Sequence, residues 1–93
     1  MRKRVRKNGY LLVNENGKFM VVVADTFYTG LITSVYRTRK EMIEHLRQRL
    51  VKNKKEMKKA RELNIPYHLR TLKEQKEAYK FFIYTLLTNK NFV

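Results

Sequence analysis

Few side chains in this sequence are suited to catalysis. Asp25 is the only aspartate, which excludes a pair of aspartates around a catalytic metal. Glu41 and His45 are spaced i,i+4 and could share a metal, but no third ligand is evident, so we expect a solvated pair. His68 lies close to Pro66, and we expect it in a loop. The sequence has no cysteine, which excludes a disulfide framework, a zinc finger and a thiol nucleophile.

Binding chemistry is much better represented than catalysis. Against 22 lysines and arginines stand 8 aspartates and glutamates, which leaves a net charge of +14 over 93 residues. An imbalance of this size predicts a polyanionic partner, which is a nucleic acid, an anionic membrane surface or an acidic protein.

The positive charge is concentrated in two segments. We expect residues 1–8 to form a basic N-terminal arm, because five of the first seven residues are cationic: Arg2, Lys3, Arg4, Arg6 and Lys7. The second segment runs from Arg47 to Arg61 and holds eight cations and one acid, Glu56. Seven of these cations are predicted on the face of a helix away from its apolar stripe: Arg47, Lys52, Lys54, Lys55, Lys58, Lys59 and Arg61.

Phosphate is the favoured ligand of this second segment. Like charges at i,i+4, such as Lys54 and Lys58, cost about 0.2–0.5 kcal/mol per pair, so several of them on one helix favour a polyanion over a merely solvated face. Lysine acts as a point charge towards phosphate, whereas arginine can bind guanine with two hydrogen bonds. The excess of lysine therefore predicts phosphate-dominated binding with low sequence specificity, to DNA or RNA. The arginines of the arm could enter a minor groove.

Some aromatic residues admit two interpretations. Tyr10, Phe27, Tyr28 and Tyr36 could stack on unpaired bases, although packing in the core or on the sheet is favoured.

The first third of the chain predicts three antiparallel strands. They cover residues 10–13, 18–24 and 31–36, and the pair Asn16-Gly17 is a strong hairpin-turn signal. The strand over 18–24 is apolar on both faces, so we expect it to be central.

Two helices should follow the strands. Thr38 and Glu41 form a capping box, which predicts a helix from there to about Leu63. Asn64-Ile65-Pro66 should end this helix, since the residue before a proline avoids the α region. A second capping box at residues 71–74 should open a helix to about residue 89. The predicted buried stripes are Met42, Ile43, Leu46, Leu50, Met57 and Ala60 on the first helix and Leu72, Tyr79, Phe82, Ile83 and Leu86 on the second. The expected fold is α+β, a three-stranded antiparallel sheet followed by two helices, forming a single domain over residues 9–93.

Phe81 and Tyr84 fall outside the stripe of the second helix. They fit either packing within the chain or a homodimer contact.

The sequence predicts no membrane span, since no apolar run approaches 18 residues. The basic N-terminus is not followed by the apolar core of a signal peptide, so a cytoplasmic location is expected. The abundance of Lys, Asn, Ile, Tyr and Phe suits a phage or mobile element, in which case the location is the host cytoplasm.

Residues 9–50 resemble the arm-binding domains of tyrosine recombinases. The resemblance lies in Asn16-Gly17-Lys18-Phe19, the strands after it, and the segment from Tyr36 to Met42. It implies a three-stranded sheet plus a helix that binds DNA through the sheet.

Residues 17–77 are similar in order to the GIY-YIG nucleases. The matching residues are Tyr28-Thr29-Gly30, Thr33, Arg37 or Arg39, His45 and Glu77, with Phe19 where that family has a tyrosine. The resemblance implies that Tyr28 helps to activate water, that Arg37 or Arg39 holds the phosphate, and that Glu77 binds a divalent metal.

The residues therefore favour a small basic nucleic-acid-binding protein that uses residues 2–7 and the face from Arg47 to Arg61 and needs no cofactor. The first alternative is a protein that inhibits or modulates a host nucleic-acid-handling enzyme by docking on its acidic surface. The second is a nuclease, either active or degenerate.

Overall fold

The protein has the predicted fold class, a three-stranded antiparallel sheet followed by two helices. The computed structural model describes residues 2–23, 35–90 and 92. The elements follow one another along the chain as β1 (Arg2–Lys7), β2 (Tyr10–Glu15), β3 (Lys18–Val23), α1 (Arg39–Glu62) and α2 (Pro66–Thr88).

Two asparagine-glycine turns build the sheet. Asn8 and Gly9 have φ of 51° and 81°, and Asn16 and Gly17 have φ of 54° and 83°. Positive φ at both central residues is what a tight type I′ hairpin needs, and asparagine and glycine adopt it most easily. The strand order is therefore β1-β2-β3, with both pairs antiparallel.

The strand assignment differs from the sequence-based one. The basic segment expected as an arm forms β1, because the Asn8-Gly9 turn folds it back on β2. The central strand is thus β2 and not the strand over 18–24. Both faces of the sheet are nevertheless covered at the start of β3, because the adjacent residues Phe19 and Met20 point to opposite faces and are both buried.

The expected strand over 31–36 falls mostly outside the described residues. Its last residue, Tyr36, pairs with Phe19 in an isolated antiparallel bridge. The two backbone hydrogen bonds of this bridge measure 2.6 and 2.8 Å.

Helix α1 begins where the capping box predicts. The Thr38 hydroxyl accepts a hydrogen bond from the Glu41 amide at 3.1 Å. The Glu41 carboxylate accepts from the amide of Arg37 at 3.3 Å, one residue before the expected Thr38 amide. The last turn ends at Glu62, in agreement with the predicted end near Leu63.

Helix α2 begins five residues before its predicted start. Pro66 opens the helix, because a proline in the first turn has no N–H that would be left unpaired. Thr71 consequently lies inside α2, where its hydroxyl donates to the Tyr67 carbonyl at 3.1 Å. The prediction that residues 71–74 cap this helix is therefore wrong, and His68 lies in its first turn and not in a loop.

The core is divided into two clusters. The larger one joins the sheet to the helices and contains Leu12, Phe19, Met42, Ile43, Leu46, Ala78, Tyr79, Phe82, Leu86 and Phe92. The smaller one contains Met57, Ala60 and Leu72, with Leu69 packed against them, and involves the helices alone. The hairpin of α1 and α2 therefore extends beyond the sheet, consistent with the longest dimension of 44 Å.

A buried amide lies between the helices. Asn53 is 1% exposed, and its Nδ2 donates to the Leu72 carbonyl and to Gln75 Oε1, both at 2.9 Å. Gln75 in turn donates to the Tyr10 hydroxyl at 3.4 Å. These bonds set the register of α1 against α2 and connect both helices to β2.

Candidate nucleic-acid interface

The seven predicted cations of α1 are all exposed. They are Arg47, Lys52, Lys54, Lys55, Lys58, Lys59 and Arg61. None of them has an ion-pair partner among the residues that the structure describes. Their charge is therefore directed to solvent, as the sequence predicts.

These cations form two rows on α1. Arg47, Lys54, Lys58 and Arg61 lie within a sector of about 60°, because they are spaced by seven, four and three residues. A second row contains Lys52, Lys55 and Lys59. The first row spans 14 residues, or about 21 Å along the helix axis.

The cations of β1 occupy both faces of the sheet. Val5 packs against the core, so its neighbours Arg4 and Arg6 lie on the outer face, away from the helices. Lys3 and Lys7 lie on the face towards the helices, where Lys7 Nζ approaches the Phe81 ring to 5.8 Å from its centroid.

The two basic segments do not form one surface. Arg4 and Arg6 of β1 face away from the helices, whereas α1 packs against the opposite face of the sheet. This arrangement does not allow one ligand to be held between residues 2–7 and the α1 cations. The row on α1 and the outer face of β1 are two separate surfaces.

Among the described residues that the nuclease resemblance singles out, Arg37, Arg39 and Glu77 are not gathered into a site. Tyr28 lies outside the described residues, and Arg37 is exposed. Arg39 lies beside the Leu86 carbonyl at 3.5 Å, whereas the carboxylate of Glu77 accepts from Asn8 Nδ2 at 3.2 Å. Nine residues separate Glu77 from Leu86, which is about 13 Å along α2.

Possible metal ligands are also dispersed. Within the described part of the chain there is no group of three histidine, cysteine, aspartate or glutamate side chains placed to hold a metal ion. His45 shares a hydrogen bond of 2.7 Å with the Tyr36 hydroxyl, and the two rings stack at 4.6 Å. Burial, together with the positive charge of Arg49, lowers the pKa of His45 below 6.5, which favours a neutral ring.

Of the four aromatic residues considered for stacking on bases, two pack within the protein and two lie outside the described residues. Tyr10 is half-buried and meets Tyr79 edge-on at 5.7 Å between centroids. Burial raises the pKa of the Tyr79 hydroxyl, and a hydrogen bond from Arg49 works in the opposite direction. Tyr36 packs on His45, so both tyrosines follow the favoured packing interpretation. Phe27 lies outside the described residues, like Tyr28.

Helix α2 contributes a surface that the charge count does not reveal. Phe81, Tyr84 and Leu87 are 39%, 63% and 55% exposed. Three lysines of the same helix, Lys73, Lys76 and Lys80, are also exposed. Helical periodicity in the sequence could have predicted that these lysines share one side of α2. Only the packing of α2 against α1 and the sheet shows that this side is exposed to solvent.

Comparisons of the chain with protein-family models, with curated proteins and with solved structures find no match. None of the helices in the described residues has the length and apolarity required to cross a membrane.

Proposed function

We propose that the protein binds nucleic acid mainly through phosphate and that the basic face of α1 makes the contact. The observation that carries the proposal is the exposure of all seven cations of this face without an ion-pair partner in the described residues. Such a surface stores unfavourable repulsion in the free protein, which a polyanion relieves by releasing its counterions.

The chemistry of this face favours a nucleic acid over an acidic protein. Protein–protein interfaces contain an apolar, often aromatic centre surrounded by a polar rim. The outside of α1 between Arg47 and Arg61 offers only one large exposed apolar side chain, Val51. Docking on a host enzyme and a homodimer through Phe81 and Tyr84 remain predictions, and nucleic acid is the partner we propose.

Binding is tested by fluorescence anisotropy with labelled duplex DNA, duplex RNA and single-stranded DNA between 50 and 300 mM salt. Neutralising six phosphates on a DNA duplex corresponds to a slope of about −5 in log Kobs against log salt. Little difference is expected between unrelated sequences, because phosphate contacts read no bases. The absence of measurable binding at 50 mM salt to all three ligands would overturn the proposal.

A pair of substitutions locates the contact surface. Lys54→Gln with Lys58→Gln removes two charges from α1, and the slope should become less steep by about 1.8. The control, Lys18→Gln with Lys90→Gln, removes the same charge from the start of β3 and from the segment after α2. It should change the affinity less than about twofold, because a surface charge away from the ligand is screened. Equal losses for the two variants would assign binding to overall charge and not to α1.

A further inference from the structure

The contacts of the helical hairpin show which side of each helix faces the sheet. On α1, His45 packs on Tyr36, which pairs with β3. On α2, Tyr79 packs on Tyr10 of β2, and Phe81 lies under Lys7 of β1. The opposite flanks of both helices therefore face away from the sheet, on one common side of the hairpin.

Cations occupy this common side on both helices. On α1 it carries Arg47, Lys54 and Arg61, which are spaced by seven residues and all exposed. On α2 it carries Lys73, Lys76 and Lys80, which are exposed as well. Two rows of cations thus run along the two edges of the groove between the helices.

The register of the helices sets these rows opposite each other. Asn53 bonds to Leu72 and Gln75, and Arg39 lies beside Leu86. Between these contacts, Lys54 falls opposite Lys73, and Arg47 falls opposite Lys80. Seven residues along a helix span about 10 Å, and packed helix axes lie about 8–10 Å apart. The four cations thus form two pairs, each with one member on either side of the groove.

The floor of the groove between the rows is apolar. Ile43 is buried, Leu50 and Ile83 are half-buried, and Leu87 is 55% exposed at its end. The nearest acid on α2, Glu77, is turned to the β1–β2 turn, where it accepts from Asn8. Glu41 and Glu44 of α1 line the same cavity as Ile43, Arg47 and Leu87, so the groove has carboxylates beside it at the Arg47 end.

We propose that Arg47, Lys54, Lys73 and Lys80 form one phosphate-binding platform on the side of the hairpin away from the sheet. This inference rests on the proposed function and adds α2, which the charge distribution along the sequence does not single out. A DNA duplex carries one phosphate charge per about 1.7 Å of its axis, so several phosphates fall within the length of about 10 Å that each row spans. The strand lies along or across the groove, with α2 supplying half of the contacts.

Two lysine pairs of identical spacing test the platform. Lys73→Gln with Lys80→Gln removes the α2 half. Lys52→Gln with Lys59→Gln removes two exposed lysines at the same i,i+7 spacing from α1, the more basic helix, but on its flank away from the groove. Both variants lower the net charge by two, and glutamine keeps the helix propensity of lysine. Affinity for a labelled DNA duplex is measured by anisotropy at several salt concentrations.

If the platform binds the nucleic acid, the Lys73/Lys80 variant should lose more affinity than the Lys52/Lys59 variant. If only the local density of charge matters, the Lys52/Lys59 variant should lose at least as much, because α1 is the more basic helix. With the platform, the Lys73/Lys80 variant binds at least about tenfold more weakly at 0.1 M salt, and its salt slope is reduced by about 1.8. The Lys52/Lys59 variant, which removes two cations of the basic face of α1 on the side away from the groove, loses clearly less affinity than the Lys73/Lys80 variant. Lys73→Arg with Lys80→Arg keeps both charges and should retain the wild-type affinity and slope.

The outcomes separate this inference from the proposed function. A loss for Lys52/Lys59 equal to or larger than that for Lys73/Lys80 would overturn the platform, while nucleic-acid binding by the wild type would stand. No binding by the wild type would overturn both. Circular dichroism of each variant confirms that the helices remain folded, so that the change in slope reports phosphate contacts.

Discussion

Asparagine has a larger part in this fold than its polar side chain would suggest. Asn8, Asn16 and Asn64 all adopt positive φ, which few other residues with a side chain do easily. Asn14 and Asn53 are buried and use their amides as ties: Asn14 Nδ2 donates to the Phe92 carbonyl at 2.6 Å, and its Oδ1 accepts from the Gly17 amide at 2.9 Å. Single asparagines thus set both hairpin turns, the helix connection and the attachment of the C-terminal segment.

At the residue scale, His45 should make the protein less stable in mild acid. Burial and Arg49 hold the pKa of His45 below its usual 6.5, so the unfolded chain takes up a proton at a higher pH than the folded protein does. Well above pH 6.5, His45 is neutral in both states and its titration does not change the free energy of unfolding. As the pH falls from 6.5 towards the pKa of the folded state, the free energy of unfolding decreases, and below that pKa it levels off. Urea denaturation at pH 7, 6 and 5 measures the effect.

The histidine variants isolate this contribution. His45→Gln should lose less stability between pH 7 and pH 5 than the wild type, because the titrating ring is gone. His68→Gln, which removes the other histidine at an exposed position in α2, is the matched control variant. The same pH dependence in the wild type and in His45→Gln would show that His45 is not the responsible group.

At the element scale, β1 shows how a charged segment can be part of a sheet. Its cations alternate with Val5, whose side chain packs against the main core cluster. One apolar residue in six is a weak periodic signal, so the segment is typical of a solvated arm when its charge alone is considered. The Asn8-Gly9 turn was the local signal for a strand, since it mirrors Asn16-Gly17 one strand later.

Neighbouring substitutions in β1 test its place in the sheet. Val5→Ala should lower the free energy of unfolding by about 1 kcal/mol, because partly buried apolar surface is lost from the core. Arg4→Ala, on the exposed face of the same strand, should stay within about 0.5 kcal/mol. Urea denaturation provides both values. No effect of Val5→Ala would indicate that residues 2–7 are an arm in solution after all.

At the scale of the whole molecule, the net charge of +14 acts on a small body of 44 × 28 × 19 Å. The Debye length is about 30 Å at 0.01 M salt and about 10 Å at 0.1 M, so at low salt most of the cations repel one another across the entire protein. The smaller core cluster of Met57, Ala60 and Leu72 lies in the part of the hairpin with the densest charge. Repulsion therefore acts where the least apolar surface is buried.

Salt should stabilise the free protein for this reason. The melting temperature, followed by circular dichroism, is expected to rise as sodium chloride increases from about 0.01 to 0.3 M, because screening weakens the repulsion in the folded state. The rise should be smaller for Lys54→Gln with Lys58→Gln, which carries two fewer charges. A melting temperature that falls or stays constant over this range would contradict a dominant role of charge repulsion.

The sequence by itself determined the properties that depend on local order. The capping residue Thr38, the apolar stripe of α1 and the Asn16-Gly17 turn each act within a few positions, so the fold class and the bounds of α1 follow from them. The exposure of the α1 cations follows in the same way, because residues opposite an apolar stripe face solvent.

Only the tertiary structure decided how these elements face one another. Whether β1 joins the sheet depends on pairing with β2, and which flank of α2 faces solvent depends on Tyr10 and Lys7, more than sixty residues away. Helical or strand periodicity assigns residues to a face but cannot say which neighbour that face meets, because the answer lies in long-range packing. That packing turns Arg4 and Arg6 away from the helices and places α2 with its exposed Lys73 and Lys80 next to α1.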